Sequence, residues 1–119
     1  MKYKYKIAGL KQAYKLYLEM ANPRMVASTI NTWVSNAFWL SHVWTEQEFM
    51  DKLQCDDYNR EELIEELTLT ELSTRKFPEK DAKGYIRAFD ELRKFISLIC
   101  AIEAARKREP RCIQLSMLD

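Results

Sequence analysis

The chain has 119 residues, the length of a single domain, and mixes 47% aliphatic and aromatic with 31% charged residues, the balance of a globular protein. Three Pro and two Gly are too few turn formers for an all-β fold or a Gly-rich phosphate loop. A net charge of +1 gives no overall attraction to nucleic acid or membrane, and one His with three Cys, none in a Cys-x-x-Cys pair, leaves little for metal or nucleophilic chemistry.

In chain order the signals are helical. Leu10, Tyr14, Tyr17 and Leu18 recur at helical spacing and predict a helix over residues 7–21. Asn22-Pro23 then ends one helix and starts the next, with Asn22 as N-cap and Pro23 at the first helical position, where a missing N–H costs nothing. This second helix is predicted from residue 23 to about residue 43. Ile30, Trp33, Ala37, Leu40 and Trp44 form one stripe, and Val34, Phe38 and Trp39 make the adjoining face apolar, the pattern of a buried helix. Thr45-Glu46-Gln47-Glu48 is a capping box ahead of Phe49, Met50 and Leu53. Asn59-Arg60-Glu61-Glu62 is a second, ahead of Leu63, Ile64 and Leu67. The β-branched Thr68 and Thr70 leave open whether that helix reaches Leu72. Pro78 restarts a helix in which Tyr85, Phe89, Leu92, Ile96, Ile99 and Glu103 keep the spacing. Gly84 costs this helix about 1 kcal/mol relative to Ala, and it should end before Pro110. The predicted fold class is all-α: a compact bundle of about five helices, the last one long, central, apolar all round over residues 95–102 and packed on the second. Residues 1–110 form the helical domain and residues 111–119 a short C-terminal tail.

Charge is ordered along the chain. Residues 1–44 carry six bases and one acid, residues 45–74 ten acids and two bases, and residues 75–119 eleven bases and seven acids. Either the acidic middle packs near the basic ends and neutralises them, or separate charged faces remain and one meets a partner. No apolar run of signal-peptide length follows the basic N-terminus. The longest apolar stretch, residues 95–102, is far shorter than the roughly 20 residues of a membrane span. An odd number of Cys fits reduced thiols. The expectation is a cytoplasmic protein without membrane contact.

His42 would have to enter any Cys–His or His–Asp–Ser arrangement; beside Trp39 and Trp44 at a helix end it suits a structural or capping role. Glu61, Glu62, Glu65 and Glu66 with Asp56 and Asp57 offer oxygen ligands for a hard cation, but without the alternation and central Gly of an EF-hand or the Glu-x-x-His of a di-iron bundle. A solvated helix face, or an acidic surface that imitates phosphates, are the other readings. No metal or cofactor is expected. Lys2, Lys4 and Lys6, interleaved with Tyr3 and Tyr5, and the cluster Arg106, Lys107, Arg108 and Arg111 are the candidate nucleic-acid contacts, through phosphate pairing and base stacking. A helix-turn-helix over residues 61–77 fits poorly, since no Gly marks the turn and the first helix is acidic. Trp33, Trp39 and Trp44 are more indole than one small core readily buries, which would place one of them on a homo-oligomer interface.

The tail carries a different signal. Ile113, Leu115, Met117 and Leu118 are large and apolar, which terminal tails normally avoid, so the tail either packs on its own core or fits a partner's pocket. Gln114-Leu115-Ser116-Met117-Leu118 resembles the short peptide by which bacterial polymerases and mismatch-repair proteins hold the DNA sliding clamp, with Met117 where Leu is usual and Asp119 added after the anchor. The resemblance implies that Gln114 hydrogen-bonds at the mouth of the clamp groove, Leu115 takes a shallow subsite, and Met117 and Leu118 fill the deep apolar pocket. It covers five residues and implies nothing about the body. The function expected is thus a non-enzymatic adaptor or regulator of bacterial or phage origin, bound to the clamp by its tail and to a replication or repair protein, or DNA, by its body. The alternative is a small helical inhibitor, of anti-defence or immunity type, acting through a charge-segregated surface with a structural tail.

Overall fold

The computed structural model describes residues 6–55 and 57–108. Among these, the chain forms five α-helices and no strand: α1 (Ile7–Ala21), α2 (Ala27–Ala37), α3 (Glu46–Gln54), α4 (Arg60–Leu69) and α5 (Pro78–Arg108), with a 3-10 turn (Trp39–His42) after α2. The all-α bundle with a long last helix is therefore as the sequence predicts. Helix α5, 31 residues and about 46 Å long at 1.5 Å per residue, is the spine, and α2, α3 and α4 pack along it while α1 lies on α2.

Each helix follows from its periodicity and its ends. α1 buries Leu10, Tyr14 and Leu18, one turn apart. At its end Asn22 turns back: its backbone N–H and its Nδ2 both donate to the Leu18 carbonyl, at 2.9 and 3.0 Å. Asn22 is thus the C-cap of α1, not the N-cap of α2. Its carbonyl accepts from Met25 N–H at 3.0 Å, closing a turn with Pro23 in the second position. A residue before proline is pushed out of the helical region, so the chain opens at Asn22 and the next helix waits until Ala27.

The helix predicted through residue 43 also ends early, at Ala37. The Ser41 hydroxyl and N–H both reach back to the Phe38 carbonyl, at 2.6 and 3.0 Å, which tightens the chain into a 3-10 turn. The tightening sends Leu40 into the core and sets Trp39 flat on Tyr85. α3 has the predicted capping box: Thr45 Oγ1 accepts from Glu48 N–H at 3.2 Å and Glu48 Oε1 accepts from Thr45 N–H at 3.0 Å. Asn59 caps α4 by accepting from Glu62 N–H at 3.0 Å. α4 stops at Leu69, where the Thr70 hydroxyl takes the Glu66 carbonyl, and Leu72 drops into the core from the turn beyond.

The core is continuous and centred on Phe89 of α5, whose ring meets Trp44, Phe49 and Tyr58 at 5.6–5.8 Å between centroids. α2 packs on α5 as predicted, through Ile30, Val34 and Ala37. Two parts of the predicted core are corrected. Trp33 is 43% exposed, because the buried side of α2 is centred on Ile30, Val34 and Ala37 and Trp33 falls on its flank. Residues 95–102 are not buried throughout: Phe95 and Ile96 are, Ile99 and Cys100 are half-buried, and Leu98 and Ile102 are 46% and 50% exposed. There α5 outruns the helices that cover it.

Candidate partner-binding surfaces

The predicted partner-binding residues Gln114, Leu115, Met117 and Leu118, and the candidate nucleic-acid contacts Lys2, Lys4 and Arg111, lie outside the described residues. Lys6 is exposed just ahead of α1, and Arg106 is exposed near the end of α5. Lys107 and Arg108 come next on the same helix; their side chains lie outside the described set. Ile96 is the last buried residue described on α5, and the helix runs on to Arg108, about 18 Å further at 1.5 Å per residue.

The acidic run forms a solvated face. Asp57, Glu61, Glu62, Glu65, Glu66 and Glu71 are all exposed, as are Glu46, Glu48 and Asp51 of α3; Asp56 lies outside the described residues. Glu61 pairs with its neighbour Arg60, at 3.5 Å. Among the described residues no group of three or more His, Cys, Asp or Glu is placed to hold a metal ion. His42 is exposed at the end of the 3-10 turn, at the negative end of that short helix.

Among the described residues, most basic side chains on α5, and Arg60 of α4 beside it, are engaged. Arg60 Nε meets Asp90 Oδ2 at 2.7 Å, and Lys94 Nζ meets Glu91 Oε2 at 3.1 Å. Arg93 donates to the carbonyls of Lys52 and Cys55 and lies 4.4 Å from the centroid of the Tyr58 ring. The Tyr58 hydroxyl is buried beside the Asp90 carboxylate, and burial first, then that carboxylate, push its pKa up. Arg87, by contrast, forms no ion pair among the described residues and opens onto two clefts.

One of those clefts belongs to a surface that periodicity alone hides. Residues 25–45 contain no Lys, Arg, Asp or Glu, in a chain that is 31% charged. A charge-free run of that length suits a buried helix, yet the run is not fully buried: Val26 is 62% exposed, Trp33 43%, and Thr29, Asn31, Thr32 and Ser35 are exposed as well. Beside it, α2 and α5 bound a groove of about 440 Å3 lined by Trp33 and Asn36 on one side, Gly84, Arg87, Ala88 and Glu91 on the other, and Tyr14 of α1. Gly84 and Ala88, one turn apart, leave that wall of α5 nearly bare. Tyr14 is almost wholly buried; burial first, then the Glu91 carboxylate and Tyr17, push its pKa up to about 12. The groove therefore offers an indole, a stretch of helix carrying only small side chains at Gly84 and Ala88, and two opposite charges.

Among the described residues no helix is long and apolar enough to cross a membrane. No protein-family model, no curated protein and no solved structure matches the chain.

Proposed function

We propose that this chain is a non-enzymatic adaptor that binds the bacterial DNA sliding clamp through its C-terminal peptide and a replication or repair component, or DNA, through its helical body. The observation that carries the reading is the peptide itself, Gln114-Leu115-Ser116-Met117-Leu118. The path of α5 supports it, because beyond Ile99 and Cys100, which still pack on the core, the helix runs on for about two more turns to Arg108. A peptide joined to such a helix raises the local concentration of whatever the body carries, so neither contact has to be tight. Cytoplasmic location belongs to the same reading, since the clamp is there.

The test is a titration of a fluorescent peptide covering residues 111–119 into a bacterial sliding clamp, with full-length protein as competitor. Micromolar binding, lost on Gln114→Ala with Leu118→Ala, is expected. No binding by either the peptide or the full chain overturns the reading.

The exposed carboxylates of α3 and α4 favour one alternative, a small inhibitor whose acidic face occupies a basic site on its target. That reading predicts binding that weakens steeply with salt and is lost when Glu61, Glu62, Glu65 and Glu66 are changed to Gln, with the tail deleted at no cost.

A further inference from the structure

Three features of the groove between α2 and α5 have no explanation inside a single chain. Gly84 sits in the regular helix α5, where glycine costs about 1 kcal/mol relative to alanine. A Cβ at this position would meet nothing within 4 Å, so no neighbour in the chain requires the glycine. Trp33, the residue type most enriched where binding energy concentrates, faces solvent on the other wall. The surface around it has lost its charges, as the centres of interfaces do.

The charges that remain identify the occupant. A two-fold interface sets a surface against itself, so a residue i that meets residue j is matched by j meeting i, and a charge off the axis needs an opposite charge placed reciprocally. The α2 face carries no charge to be matched. The groove carries two, Arg87 and Glu91, of opposite sign and one turn apart on α5. When two copies of α5 approach antiparallel, Arg87 of one faces Glu91 of the second copy, and the reverse pair forms at the same time. Arg87 has no ion pair among the described residues, and Glu91 is half exposed beside Lys94, so both can take the new partner.

We infer that the groove between α2 and α5 seats a second copy of this chain, in an antiparallel two-fold dimer in which Trp33 of each copy lies over the bare helix wall at Gly84 and Ala88 of the other. None of these residues belongs to the tail, so this dimer and clamp binding stand or fall separately.

Sedimentation equilibrium of the full chain tests it. A mass twice the monomer's 14.2 kDa is expected. Trp33→Glu should weaken the dimer at least about tenfold while far-ultraviolet circular dichroism stays unchanged, because the side chain lies outside the monomer's core. The charge pair gives the decisive comparison. Arg87→Glu and Glu91→Arg should each weaken association, and the double variant should recover it, since the exchanged charges again meet across the axis. A single 14.2 kDa species at every concentration overturns the proposal, as does a dimer indifferent to Trp33→Glu. A double variant no better than the singles overturns the two-fold pairing.

Discussion

The guanidinium of Arg93 donates to the carbonyl of Cys55 at 2.9 Å, across 38 residues of sequence. A second bond goes from the same group to the Lys52 carbonyl. These are carbonyls of the last turn of α3 and its C-cap, which the helix itself leaves without donors and which carry the negative end of its dipole. α5 thus adds a charged donor to an end that Cys55 Sγ caps only weakly, at 3.6 Å from the Lys52 carbonyl, and docks α3 in doing so. Arg93→Met, which keeps much of the apolar stem, should cost about 2 kcal/mol in urea unfolding, the value of hydrogen bonds from a charged donor. Arg93→Lys should recover only part of the loss, because an ammonium cannot present the planar fork that reaches both carbonyls and lies on Tyr58.

Two phenols with raised pKa should make the fold lose stability at alkaline pH. Tyr14 has its pKa raised from 10.0 to about 12, and Tyr58 moves in the same direction. Above pH 10 the unfolded chain releases these protons while the folded chain retains them, so ionisation favours unfolding. The unfolding free energy should be insensitive to both groups below pH 10 and fall as pH rises from there toward 12. Tyrosinate absorbance should show Tyr14 and Tyr58 ionising after ordinary tyrosines. Tyr58→Phe removes the buried hydroxyl beside the Asp90 carboxylate, so it should reduce the alkaline loss.

Trp39 and Tyr85 stack with centroids 4.3 Å apart and planes 3° from parallel. Arg75 completes the arrangement, donating to the Tyr85 hydroxyl at 3.0 Å and to Asp81 at 3.2 Å. The stack holds the 3-10 turn against α5. A double-mutant cycle with Trp39→Leu and Tyr85→Leu should return a coupling of about 1 kcal/mol beyond the lost area. A coupling near zero would mean that the two rings contribute only as independent apolar surface.

Legibility in the sequence divides along the range of the interaction responsible. Leu10, Tyr14 and Leu18 announce α1, and Thr45 with Glu48 announces α3, because spacing and capping act within one or two turns. Asn22-Pro23 is equally local but fits two outcomes, a helix start or a helix stop, and the side chain of Asn22 decides by turning back to Leu18. Trp33 is misread because periodicity fixes the centre of a buried stripe better than its width. The groove depends on α2 and α5 lying side by side, which neither segment encodes alone. One signal for it is nevertheless in plain view, the absence of charge from residues 25–45, which resembles the pattern of a buried helix until the exposure of Val26 and Trp33 is known.

Gly84 separates the needs of the fold from those of the groove. With open space where its Cβ would be, Gly84→Ala should stabilise the folded monomer by up to about 1 kcal/mol, through helix propensity and a less flexible unfolded chain. Gly84→Leu should fold as well as the alanine variant, because the longer side chain extends into the groove rather than into the core. Association should move the other way: one methyl on the bare wall already crowds the indole of a second copy and should weaken the dimer, and an isobutyl group fills the space that Trp33 of that copy needs and should abolish it. Stability from urea titration and mass from sedimentation, measured on the same two variants, should therefore diverge. Stability is expected to rise in both, and the dimer to weaken in Gly84→Ala and be lost in Gly84→Leu. If both variants are destabilised, Gly84 serves the packing of α5 itself, and its cost to the helix has its reason inside the monomer.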